Sequence, residues 1–387
     1  MRLWLLIGLL GCADKVEPAE GVDSGTSSGL EEPVVVDTGE PPETYDDLQS
    51  AQYCGECHPQ HYSDWRQSMH SYAARSPVFD EMAAKAFRDT AGGVGSFCTG
   101  CHTPLGTLDG EPGSTVASER SERSLEGVTC TVCHQAVAVT SPIGNGGLVH
   151  DFEAPMQGPF DDPVSVVGHT SVGSDVISSP ELCGSCHDVF NFPGLRIEEA
   201  FTEYQGSPSR AAGVRCQDCH MGPEPGVASP RDVGPVAVVA GFDFPDRPLS
   251  SHRFVGPDYS LLDDFPYADD LDASLVAQAE LNAQIQTLLG NAVHINDAVL
   301  IEGADGTELS VVIESLTPGH NVPTGFTSER QLWVSVTVTE GEETVYVSGD
   351  LDTWGDLRDP LSLDVITGAA EIDEDLVNFQ SLNLLRV

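Results

Sequence analysis

Basic side chains are what this 387-residue chain lacks: 17 Lys and Arg stand against 61 Asp and Glu, a formal charge of −44, with lysine only at Lys15 and Lys85. So acidic a chain is repelled by phosphate backbones and anionic headgroups, which excludes nucleic-acid binding and a polybasic membrane-surface role. Long apolar runs are missing too. The one at residues 3–10 is far too short for a transmembrane helix, and no other segment is apolar enough to cross a bilayer. With 40% hydrophobic residues a core of ordinary size is within reach, but 39 Gly and 26 Pro predict a loop-rich chain with few long regular elements. Spare cysteine is nearly absent as well. Ten of the 11 cysteines fall in five Cys-x-x-Cys pairs, Cys54/Cys57, Cys98/Cys101, Cys130/Cys133, Cys183/Cys186 and Cys216/Cys219, leaving only Cys12.

A histidine follows each pair at once: His58, His102, His134, His187 and His220. Chance would give roughly 0.01 such matches in a chain of this composition. Two thiols on one helical turn can add to the two vinyl groups of a single haem, and the adjacent histidine can ligate the iron from below. Zinc ribbons join two pairs per tetrahedral site, which five pairs cannot share evenly, and they need no histidine at a fixed offset. A thioredoxin-like redox site needs one pair, not five. The expectation is five covalent haem c groups, with their iron, on the ten thiols, and the five motif histidines as proximal ligands. So densely placed, the macrocycles must touch and provide much of the core, and the haem-free chain should not fold.

At the N-terminus Met1-Arg2, the apolar run and Gly11-Cys12 form an export signal. The string LLGC, which closes the signal segment at residues 1–12, resembles the lipobox of bacterial lipoproteins, which implies cleavage before Cys12 and a lipid on Cys12 as the first residue of the mature chain. With Ala13 rather than Asp next, the resemblance also implies sorting to the outer membrane, facing the periplasm or the cell surface. Residues 13–50 hold 11 acids and one aromatic, Tyr45, and read as a disordered acidic tether.

Seven histidines remain for the far side of each iron: His61, His70, His150, His169, His252, His294 and His320. Residues 54–70, CGECHPQHYSDWRQSMH, closely resemble the opening of the c-552/4-type multihaem cytochromes, in which W-x-x-S-x-H ends on a distal ligand. The resemblance, which extends over roughly residues 50–350, makes His70 such a ligand. In the same family the strings SHRF at residues 251–254 and GHNVPTG at residues 319–325 resemble distal-histidine stretches, implying His252 and His320. His150 and His169 sit in Gly-, Pro- and Ser-rich loops where histidine has little other use, and complete the candidate set. His61 and His294 read as surface residues. Met69, Met82 and Met156 are competing ligands that would raise a potential.

The expected fold class is a mostly loop and short α-helix multihaem domain at residues 51–225, followed by a small antiparallel β-sandwich-like domain. Between them residues 226–272, rich in Pro and Asp, read as a linker. A helix over residues 271–289 buries Leu281, Ile285, Leu288 and Leu289 and stops at Gly290; another opens at Ser76-Pro77 with Val78, Met82 and Ala86 on one face. Period-two alternation at residues 309–314, 332–339 and 342–347 marks the strands of residues 273–350. The pattern decays over residues 351–387, which leaves open a truncated sandwich or a docked C-terminal segment.

Two functions compete. Haems with two histidine ligands each carry electrons between redox partners; the acidity suits basic partners, and adaptation to salty water explains it equally. A reductase or oxidase of small nitrogen or sulfur compounds needs one open iron, and the Cys-x-x-Cys-Lys motif of related nitrite reductases does not occur. No catalytic residue is therefore assigned. A haem-bearing sensor or adhesion module is the third class, supported only by the β strands.

Overall fold

The computed structural model describes residues 2–10, 50–165, 168–192, 194–304 and 306–380; Cys12 and the acidic tether lie outside the described residues. The chain divides into two units, residues 38–325 and residues 1–37 with 326–387.

In the first unit the haem motifs form or adjoin single-turn helices, among them Thr99–His102, Cys130–His134 and Cys216–His220. The i, i+3, i+4 spacing sets both thiols and the imidazole on one face of a turn. Helices this short are marginal alone and depend on capping and tertiary contacts. Ser50 caps Ala51–Cys57 and Ser179 caps Pro180–Gly184, each hydroxyl accepting from a backbone N–H two or three residues on.

Between the motifs run two-stranded ladders: Ala136–Val139 with Leu148–His150, Met156–Gly158 with Ser171–Gly173 in parallel, Val189–Phe190 with Arg196–Glu198, and Val233–Pro235 with Asp246–Pro248. The helix Pro77–Asp89 buries Phe79 and Ala83, whereas Val78 and Met82 are 50% and 59% exposed, so its inner face is not the one the apolar spacing suggests. The long helix runs Leu271–Ala292, capped by Asp270, and passes through Gly290 to end two residues later.

Residues 226–272 do not hang free. Val255 joins Leu281, Ile285 and Leu288 in a buried cluster, with Met69 and Tyr259 packed against it. Asn291 Nδ2 donates to the Pro225 carbonyl, 3.0 Å. Burying those side chains accounts for the attachment of the long helix, at about 2 kcal/mol for each fully buried aliphatic chain. The hairpin Val293–Gly303/Gly306–Ser315 follows.

In the second unit the central strand Gln331–Glu340 pairs with Glu343–Ser348 across a turn at Gly341, φ 67°. Its outer neighbour is Arg2–Leu10, the apolar run of the expected export signal, antiparallel along its whole length; Val377–Asn378 also pairs with it. Leu332, Trp333, Val334 and Leu357 are buried. The strands of residues 293–315 and 331–348 therefore lie in separate sheets. Among the described residues, no helix is long and apolar enough to cross a membrane.

Candidate haem sites

Local sequence explains how the first histidine outside a motif is placed. Trp65 is buried and donates its indole N–H to the Val128 carbonyl, 2.8 Å, beside the third motif. Ser68 then caps Met69–Tyr72, so His70 starts a new turn rather than prolonging the helix Pro59–Arg66. Gly127 has φ 66°, and a Cβ there would lie 2.5 Å from the His70 carbonyl, which accepts instead from Val128 N. The W-x-x-S-x-H string is thus a bracket that fixes His70 against the third motif.

Four motif histidines each have a histidine from distant chain at nearly the same ring separation, with His61 also 4.8 Å from His252. His58 and His169 are 6.2 Å apart between centroids, His70 and His187 6.3 Å, His134 and His252 6.3 Å, and His220 and His320 6.1 Å. Two imidazoles bound to one metal at roughly 2 Å per bond put their centroids roughly 6 Å apart. His61 is also 6.1 Å from His58, but it sits one turn further on the same helical segment, too close along the chain for a macrocycle to pass between.

Ring nitrogens agree with that geometry. His58 Nδ1 donates to the Val236 carbonyl and His134 Nδ1 to that of Gln157, both 2.7 Å. Likewise His252 Nδ1 is 2.9 Å from the Ser250 carbonyl, His320 Nδ1 2.9 Å from that of Asn321, and His169 Nδ1 3.3 Å from that of Thr170. A carbonyl can only accept, so Nδ1 carries the proton and Nε2 keeps the lone pair a metal needs. The ladders place several acceptors: Gln157 and Glu198 lie on strands, and Val236 follows one.

Burial holds the rings in the neutral, ligating form. It lowers His134 and His58, pushes His61 and His220 down to about 4 and His70 to about 3, and takes His252 well below the usual range. His187 goes the other way. Burial opposes its charge, but the hydrogen bond and charge of Glu198 prevail and raise it to about 9. Its side chain is 55% accessible.

The loops of His252 and His320 are anchored by acids from elsewhere in the unit. Asp64 Oδ2 accepts from Ser251 Oγ and His252 N, both 3.1 Å, and Oδ1 from Arg253 Nε, 3.4 Å. Glu203 holds the loop of His320: its carboxylate accepts from Asn321 N at 3.0 Å and from Asn321 Nδ2 and Thr324 Oγ1 at 2.6 Å.

His150 is placed otherwise. Its Nε2, not Nδ1, meets a carbonyl, that of Val132 at 2.9 Å, and its ring is stacked with Phe152, so the structure brings it to no motif histidine. The imidazole of His102 has no histidine opposite it among the described ring contacts. It lies face to face with Phe79, 4.2 Å between centroids and 4° between planes. His102 Nδ1 is buried without a hydrogen-bond partner.

All ten motif cysteines are free thiols. Three thiol pairs from different motifs lie close enough to interact: Cys54 with Cys130, Cys101 with Cys186, and Cys183 with Cys216. Cys133, pushed up to about 12 by burial, also feels Cys186. The first motif therefore lies beside the third, and the fourth beside the second, third and fifth.

Free thiols that approach in pairs, imidazoles bonded through Nδ1 and matched ring spacings fit haem and define a class, the c-type cytochromes. Residues 53–135 match the model of the family described as cytochrome c554 and c-prime, a span with the first three motifs and His70. The match supports a haem-binding electron-transfer cytochrome. No curated protein and no solved structure matches the chain.

Proposed function

We propose that the protein is a pentahaem c-type cytochrome that carries electrons between redox partners, exported and held by a lipid on Cys12 at the outer membrane, facing the periplasm or the cell surface. The observation that supports it best is the set of four imidazole pairs at 6.1–6.3 Å. Bound haem supplies a one-electron couple at each motif. The chain supplies two strong-field ligands to four irons, leaving them no place for substrate. Thiol contacts order the sites as first, third, fourth, fifth, with the second branching from the fourth. The charge of −44 favours basic partners and salt-sensitive association.

Intact mass and EPR spin counting test this. Five attached haems with at least four low-spin irons are expected; fewer than five haems, or more than one high-spin iron, overturns the reading. A mature chain that begins at lipidated Cys12 lacks the strand Arg2–Leu10, so a mature protein retaining Arg2 overturns the anchor.

One observation favours a second reading, a reductase or oxidase of small nitrogen or sulfur compounds: His102 has Phe79 beside it and, among the described ring contacts, no opposing histidine. A high-spin iron that binds nitrite or hydroxylamine and turns it over supports the enzyme, and a wholly low-spin protein removes it.

A further inference from the structure

The hydrogen-bond partner of His187 differs in kind from those of the other motif histidines. His58 and His134 donate Nδ1 to neutral carbonyls, and His252, His320 and His169 likewise meet carbonyls through Nδ1. His187 donates to a carboxylate, Glu198 Oε1, at 3.2 Å. Glu198 is 6% exposed and sits at the end of the short strand Arg196–Glu198. The nearest guanidinium does not neutralise it. Arg196 pairs instead with Asp188 at 3.0 Å and lies over the Phe190 ring, while Thr202 Oγ1 donates to the other Asp188 oxygen at 2.7 Å.

We propose that Glu198 is a positioning residue that lowers the reduction potential of the haem ligated by His187. The inference rests on the haem reading above and extends it to the energetics of one site. A carboxylate accepting from Nδ1–H makes the imidazole a stronger donor and puts a buried negative charge close to the iron. Both favour the ferric form over the ferrous, so that an electron arriving from a neighbouring haem, which becomes ferric as it gives the electron up, climbs in energy. The location gives this effect reach. Thiols of the second, third and fifth motifs all adjoin those of the fourth, so an electron crossing between arms passes this site. His102 also feels the Glu198 charge, without a hydrogen bond to it, and its haem follows more weakly.

The test is potentiometric titration of the holoprotein, followed optically and by EPR, with Glu198→Gln compared with wild type after intact mass has shown five haems in each. One midpoint rises by about tenfold in its redox equilibrium, which is about 59 mV for a one-electron couple, a second rises less, and the low-spin signal of the affected haem shifts toward weaker imidazole donation. Asp188→Asn, which removes a nearby charge without touching His187, moves no midpoint as far. Five haems with unmoved or lowered midpoints in Glu198→Gln overturn the role of Glu198 and leave the haem reading standing; a wild-type chain without five haems overturns the haem reading itself. If Glu198→Gln does not mature, Glu198→Asp keeps the charge and widens the gap to Nδ1: the same midpoint rises by less, and no rise there overturns the proposal.

Discussion

His134 and His102 both end a Cys-x-x-Cys-His turn, yet His134 donates Nδ1 to Gln157 and faces His252, whereas His102 has no well-formed bond at Nδ1 and lies against Phe79. Their local sequences are equivalent. The difference comes from distant chain: Asp64 fixes residues 251–253 so that His252 meets His134, and nothing comparable brings a histidine to His102. A motif therefore sets thiols and imidazole on one turn, and anchoring elsewhere decides whether a second imidazole stands opposite; on the proposed reading that decides whether the iron is closed.

Removing the opposing ring breaks the contrast most sharply. His252→Ala makes one further iron high-spin and able to bind carbon monoxide, read by EPR and optical titration; an unchanged spin count removes His252 from the ligand set. Phe79→Ala acts on the other side of the comparison. It lowers stability by about 3 kcal/mol, the scale for a buried aromatic, and alters the signal of the His102 haem alone, measured by denaturant titration with EPR of the folded protein. Asp64→Asn weakens the anchor while leaving His252 in place. It costs about 2 kcal/mol, since the lost bonds are to a charged acceptor, and introduces a partial high-spin fraction at one haem. The smallest effect is expected from His150→Ala: no change in spin state, and a loss of about 1 kcal/mol for one hydrogen bond to Val132. A new high-spin species in that variant would restore His150 as a ligand.

The parts of the site visible in the sequence are those whose chemistry is local. The ten thiols and five adjacent histidines stand out because covalent attachment demands their spacing, and His70 because Trp65 and Ser68 build its bracket within a few residues. Pairing was not visible, since every opposing ring is brought in across a large sequence separation. The acids that hold the histidines and their loops, Asp64, Glu198 and Glu203, were missed because a chain with 61 carboxylates gives no local sign of which will be bonded to distant chain. Alternation marked the strands correctly in kind but could not say which strands are neighbours; hence the two separate sheets. In the helix Pro77–Asp89 two faces carry apolar residues, and the aromatic Phe79 with small Ala83 won over Val78 and Met82 because the stack on His102 needs a flat ring.

The four ring pairs span residues 58–169, 70–187, 134–252 and 220–320. Each interval opens before the preceding one has closed. With a haem held between each pair, ligation would work as a set of interlocked cross-links, each closing a loop of a hundred residues or more, where a covalent tie is worth about 4–5 kcal/mol in chain entropy. No cut between residues 58 and 320 spares all four pairs, so on the proposed ligand set the region would have no separable half; the unit that contains it ends at residue 325, just past the last pair.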